Sequence, residues 1–152
     1  MLGGNSGNEY PGLNVEEILE QLDAKDLPKH NVIVYGSLRK GMDNHTLLSE
    51  GIKSKEVIDL GKAAVYLPAR MYDTGYGFPS IVPDVTKSIF VVEQYKVNDA
   101  YINRLDALEG YPEIYNSTQT LVNGELSWVY YQPQAEAGYE EIQGDWVRYR
   151  RA

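Results

Sequence analysis

Cysteine is absent from all 152 residues, which excludes a disulfide framework, a thiolate nucleophile and a thiolate metal site. Basic side chains are scarce beside acidic ones, 14 against 22, giving a formal charge of −8 and a pI near 4.7. That balance argues against a nucleic-acid backbone or an anionic membrane surface as partner, since both need clustered Lys and Arg. Small molecules are the expected partners. Histidine occurs only at His30 and His45, without the i, i+4 spacing of a helical metal pair, so neither a metal nor another cofactor is expected. The first 30 residues hold no apolar run of signal-peptide or membrane-span length, and a soluble cytoplasmic protein is expected. Phenylalanine occurs twice, against 13 tyrosines. Rings with a polar tip suit the wet rim of a small core and the walls of a pocket.

The familiar signatures are also missing. The run Tyr35-Gly36-Ser37-Leu38-Arg39-Lys40-Gly41 lacks the spacing of a phosphate-binding Walker loop, and Ser37 is not in a G-x-S-x-G elbow. Gly75-Tyr76-Gly77 lacks the third glycine and following helix of a dinucleotide fingerprint.

What is present is one domain's length of chain with a modest number of legible elements. Met1 to Leu13 is rich in Gly, Asn and Ser, and Val15, Ile18, Leu19 and Leu22 then outline a short amphipathic helix. Residues 1–30 are read as an extension and 31–152 as the folded domain. Val32-Ile33-Val34-Tyr35 reads as a buried strand ended by Gly36-Ser37. His45 to Glu50 reads as a helix capped by Asp43 or Asn44. Ala63 to Met71 and Ser88 to Val97 read as strands flanking a turn-rich stretch from Asp73 to Pro83. Thr118 to Val122 and Leu126 to Tyr131 flank Asn123-Gly124, a strong hairpin signal. Trp146 and Tyr149 are expected to fold back onto the body. Several strands, few helices and no regular alternation indicate a small α+β fold built around a sheet or barrel.

Two segments carry possible chemistry. Past the strand ending at Tyr35, the amides of the Gly36 loop are freed from sheet pairing and can converge on an anion such as a carboxylate. Arg39 and Lys40 add charge there or form a solvated turn. The second segment is Leu105-Asp106-Ala107-Leu108-Glu109-Gly110-Tyr111-Pro112. Apolar Tyr101, Ile102, Leu105 and Leu108 set a helix over 98–108, with Asn98 or Asp99 to cap it and Gly110 and Pro112 to stop it. Glu109 thus falls at a helix C-terminus, where the helix dipole and Asp106 one turn back would both raise its pKa.

In order along the chain, Tyr35-Gly36-Ser37-Leu38, Asn44, Phe78-Pro79-Ser80-Ile81-Val82, the Leu105 to Pro112 run with Tyr115, and Trp128-Val129-Tyr130-Tyr131 resemble the motifs of the gamma-glutamylcyclotransferase-like superfamily. The likeness spans about Asn31 to Tyr149. Glu109 within the Leu-Asp-x-x-Glu-Gly run is most similar to the gamma-glutamylamine cyclotransferase branch. The resemblance implies a small mixed β-barrel edged by helices and release of 5-oxoproline and a free amine from a gamma-glutamyl compound. It also implies Glu109 as the catalytic acid/base and Tyr35, Gly36, Ser37, Leu38 and Tyr115 as substrate-binding residues. Two positions depart from the pattern: Val92 precedes Glu93 where the family has Gly-Glu, and Ser117 stands where the family often has Arg. A non-catalytic small-molecule-binding or interaction module on the same fold is the alternative reading, and a hydrolase in which Glu109 activates water is a third.

Overall fold

The computed structural model describes residues 27–110 and 114–152, so the helix expected between Val15 and Leu22 lies outside the described residues. The described chain forms a curled, open six-stranded sheet, a half-barrel with helices at its side. The elements are β1 (His30–Val34), α1 (His45–Lys53), β2 (Val57–Asp73), β3 (Pro79–Val97), α2 (Asp99–Glu109), β4 (Asn116–Val122), β5 (Glu125–Tyr131), β6 (Glu140–Ile142) and α3 (Trp146–Arg151). The strand order is β4-β5-β1-β3-β2-β6. β1 runs parallel to β5 and antiparallel to β3, so the sheet is mixed.

β1 is short but central, and its apolar run is buried on both faces, as such runs are when a sheet is covered from either side. Ile33 and the following Tyr35 pack in one core with Phe90, Val92, Val129 and Trp146. Val32 and Val34 point the other way, to Tyr95, Val97, Leu48 of α1, and Tyr101 and Leu105 of α2. Period-two alternation thus feeds two cores from one strand.

β2 and β3 are far longer than their apolar stretches suggest, 17 and 19 residues, and they pair nearly to their common tip. The segment expected to be turn-rich from Asp73 to Pro83 is strand from Pro79 onward, leaving only 74–78 as the turn. The prolines misled the reading. Pro79 opens its strand, and Pro68 and Pro83 lie at the register shift between Leu67 and Ala69, positions where a ladder N–H is dispensable.

Other local signals hold. Asn98 caps α2 by accepting the Tyr101 amide at 3.0 Å, and Gly110 ends it at φ 65°, a left-handed conformation that glycine tolerates best. Asn123 and Gly124, at φ 51° and 81°, make the type I′ turn of the β4–β5 hairpin. α1 starts after Asn44 but without a side-chain cap, and the Asn44 side-chain NH2 donates to Ser37 Oγ. Leu108, expected on the buried face of α2, is 43% exposed, whereas Tyr101 and Leu105 are buried. Trp146 does fold back into the core that holds Ile33 and Phe90, 1% exposed. It is brought there by Gly144, whose carbonyl accepts the Val91 amide at 2.9 Å and whose missing side chain lets it lie against Ile89 and Phe90.

Candidate active site

The polypeptide leaves β1 at Tyr35 and turns sharply. Arg39 N donates to Gly36 O at 2.9 Å to close the turn, and Asn44 braces it twice, its backbone amide on Ser37 O and its side-chain amide on Ser37 Oγ, each at 2.9 Å. His45 Nδ1 donates to Leu38 O at 2.9 Å. With the carbonyls so occupied, among the described residues no backbone acceptor takes the amides of Ser37 or Leu38. Backbone donors without an acceptor can receive an oxyanion or carboxylate.

A cavity of about 30 Å³ opens beside this turn, lined by Ile33, Val34, Tyr35, Gly36, Ser37, Leu38, Phe78, Pro79, Glu109, Tyr115 and Tyr130. All six residues singled out in the sequence, Tyr35, Gly36, Ser37, Leu38, Glu109 and Tyr115, therefore border one space. Its volume corresponds to about two water-sized groups and excludes a dinucleotide.

Glu109 ends α2, and burial lifts its carboxyl to about 7. This corrects the cause expected from the sequence. Burial is what raises the value, and Asp106, expected from the sequence to help, instead accepts the hydroxyl of Tyr130. A carboxyl at that value is close to evenly divided between acid and base at neutral pH.

The tyrosines hold the walls. Tyr35 donates to Tyr130 O at 2.8 Å and accepts the Ile81 amide at 3.4 Å, which joins β1, β5 and β3 through one hydroxyl. Tyr115 donates to Pro79 O at 2.9 Å. Burial raises both phenols above their ordinary value, and Glu109 adds to each, so both are neutral hydrogen-bonding groups at working pH. Phe78, Pro79 and Tyr130 line the cavity as well and were missed as site residues, although each lies in a motif picked out in the sequence. For Tyr130 the available signal was β5 alternation, which puts it on the helix-facing side with Tyr115.

Arg39 and Lys40 do not serve the anion site. Arg39 is 4% exposed, with Nε on Glu93 at 3.1 Å and Nη1 on Asp145 at 2.8 Å. Lys40 pairs with Asp59, and its backbone amide donates to Glu93 at 3.0 Å. Glu93, which the sequence left without a partner, also accepts the Tyr95 hydroxyl at 2.8 Å and so ties the turn to β3. His30 pairs with Asp99 at 2.6 Å. Among the described residues no three His, Asp or Glu side chains are grouped to hold a metal ion, and no helix is long and apolar enough to cross a membrane.

The mixed half-barrel has known counterparts. Residues 32–148 match the family described as gamma-glutamyl cyclotransferase, AIG2-like. A Methanocaldococcus jannaschii protein provisionally named a gamma-glutamylcyclotransferase is 31% identical over 128 residues, covering 78% of this chain and 97% of its own. The gamma-L-glutamyl-butirosin B gamma-glutamyl cyclotransferase of Niallia circulans is 28% identical over 131 residues, covering 79% of this chain and 77% of its own. A protein of Pyrococcus horikoshii shares the fold at a TM-score of 0.61 and 22% identity, over 80% of this chain and 93% of that one. The chain belongs to the gamma-glutamyl cyclotransferase, AIG2-like family and is a gamma-glutamylcyclotransferase-like enzyme.

Proposed function

We propose that the enzyme cyclises the gamma-glutamyl group of a small gamma-glutamyl amine or amino acid, releasing 5-oxoproline and the free amine, with Glu109 as general acid and base. The observation that carries this reading is that Glu109, at about 7, borders the same cavity as the turn that presents the Ser37 and Leu38 amides. In the reaction the substrate's α-amine attacks its own γ-carbonyl carbon, the bond from that carbon to the leaving nitrogen breaks, and one proton passes from the attacking nitrogen to the leaving one. A single carboxyl that accepts and then returns that proton balances the step, and nothing is oxidised or reduced.

The Gly36, Ser37 and Leu38 backbone binds the substrate's carboxylate or the oxygen of the reacting carbonyl. Tyr35 and Tyr115, each fixed by its bond to a backbone carbonyl, hold the glutamyl chain folded. Because nucleophile and electrophile belong to one molecule, that folding supplies much of the acceleration. The test is a panel of gamma-glutamyl compounds incubated with the enzyme and analysed by mass. Release of 5-oxoproline supports cyclisation, glutamate alone would indicate hydrolysis through Glu109, and binding of 5-oxoproline without turnover of any compound would indicate a binding module.

A further inference from the structure

The helix that carries Glu109 is anchored by apolar side chains along most of its length but not at its end. Tyr101 and Leu105 are buried, whereas Ala107 and Leu108 beyond them are exposed. Asp106 lies one turn before Glu109 and neighbours it on the helix surface, and it accepts the hydroxyl of Tyr130. The last turn of α2 is therefore tied to β5 by a hydrogen bond. Tyr130 also reaches the other side of the site. It is 2% exposed, and its backbone carbonyl accepts the Tyr35 hydroxyl at 2.8 Å, where β1 gives way to the Gly36 turn. One residue thus holds the helix that ends in Glu109 through its side chain and the strand that ends in the amide-rich turn through its backbone. Tyr130 is itself fixed in the ladder opposite Ser117, so its ring has a rigid base.

Such a tie controls both the place and the proton affinity of Glu109. A reacting group misplaced by about 1 Å can cost about 10²-fold in rate. The titratable groups around Glu109 are Tyr35 beside β1, Tyr115 before β4, Tyr130 of β5 and Asp106 of its own helix, and among the described residues no Lys, Arg or His lines the cavity. The phenols of Tyr35 and Tyr115 are held above their ordinary value, so a titration near 7 belongs to Glu109. If the last turn of α2 moved away, water would reach this carboxyl and return it toward the ordinary 4.5.

We propose that Tyr130 and Asp106 are positioning residues of the active site: their hydrogen bond fixes the last turn of α2 to β5 and so sets Glu109 against the Gly36 turn. The assignment rests on the cyclotransferase reading with Glu109 as acid and base, and adds to it two residues that move no proton themselves.

The test measures 5-oxoproline release from gamma-glutamylalanine and gamma-glutamylmethylamide as a function of pH. Two variants break the bond from opposite ends: Tyr130→Phe removes the hydroxyl but keeps the carbonyl on Tyr35, and Asp106→Ala removes the acceptor at the half-buried end, where a substitution disturbs the fold least. Each is expected to lower kcat by on the order of ten- to a hundredfold with KM little changed. Each should also move the rising limb of the pH profile below about 7. The double variant is expected to lose no more than either alone. Asp106→Asn keeps an oxygen acceptor without the charge, and should retain most of the turnover and the wild-type limb. Wild-type turnover in both bond-breaking variants, an unmoved limb in both, a loss confined to KM, or losses that add in the double variant would overturn the positioning role while leaving the cyclotransferase standing. So would an Asp106→Asn variant as poor as Asp106→Ala, since the charge and not the bond would then be what matters. Absence of 5-oxoproline from wild type with both compounds would overturn the cyclotransferase reading itself, and the positioning role with it.

Discussion

Pro79 occupies the space that a side chain on Gly36 would need: a Cβ built on Gly36 would lie 2.6 Å from Pro79 Cγ and 2.7 Å from Cδ. The amide-rich turn and the start of β3 are thus in contact at a point with no room to spare, and the Pro79 carbonyl is the one that orients Tyr115. Gly36→Ala is expected to cost about 1–3 kcal/mol, as overpacking of a tight contact does, and to lower 5-oxoproline release as Tyr115 moves. Urea denaturation and turnover measured on the same preparation check it; an alanine variant that keeps both would mean the turn tolerates displacement.

Glu109→Gln keeps the size and hydrogen-bonding capacity of the side chain but cannot shuttle a proton. Turnover should fall by roughly 10²–10⁴, with cooperative unfolding and product binding retained. Equal turnover by wild type and variant would remove Glu109 from the mechanism.

The same carboxyl links pH to stability. Its value rises from 4.5 toward about 7 on folding, so the folded state binds the proton more tightly. The resulting stabilisation is present in full below about 4.5 and is lost as pH rises through about 7. A shift of that size corresponds to about 3 kcal/mol at most. Glu109→Gln should therefore lose this slope and be more stable than wild type at pH 8, the two converging near pH 4. Parallel stability curves over that range would show that the carboxyl is solvated in the folded protein.

Glu93 is the control carboxylate, and its work is mechanical. Arg39→Met takes the guanidinium away from the buried Glu93 and the half-buried Asp145 and is expected to cost about 3–5 kcal/mol. Glu93→Gln should also destabilise, yet at a temperature where it is folded its turnover should fall far less than that of Glu109→Gln. Thermal unfolding and turnover at that temperature separate the two roles. A Glu93→Gln variant as stable as wild type but as inactive as Glu109→Gln would reverse the assignment.

Local chemistry was readable in the sequence wherever a single segment decided the outcome. Asn98 and Gly110 bracket α2, Asn123-Gly124 fixes the hairpin, and the apolar run before Gly36 is the central strand. Five of the six residues that border the cavity sit beside such a punctuation mark, a turn after a strand or a stop after a helix, and Tyr115 was reached through the family resemblance. What was not legible depends on residues distant in the chain. The partner of Glu93 is Arg39, 54 positions away, and the exclusion of water that shifts Glu109 comes from surfaces assembled from four elements. The reach of β2 and β3 was hidden because prolines usually mark turns, and here they sit at a strand start and a register shift.

The position of β1 in the sheet has a consequence for how the protein is made. Val34 pairs with Glu93 on one side and Val32 with Trp128 on the other, so the innermost strand is among the earliest to be synthesised and cannot be completed on either side until much later. A nascent chain carries this strand with a bare, apolar edge until β3 and β5 have emerged, the situation in which aggregation competes with folding. The contact that closes the sheet is also the slowest class to form, since it joins segments far apart in sequence. The cavity at Gly36 gains its last wall only when Tyr130 arrives, and a chain that stops before residue 128 is born without it.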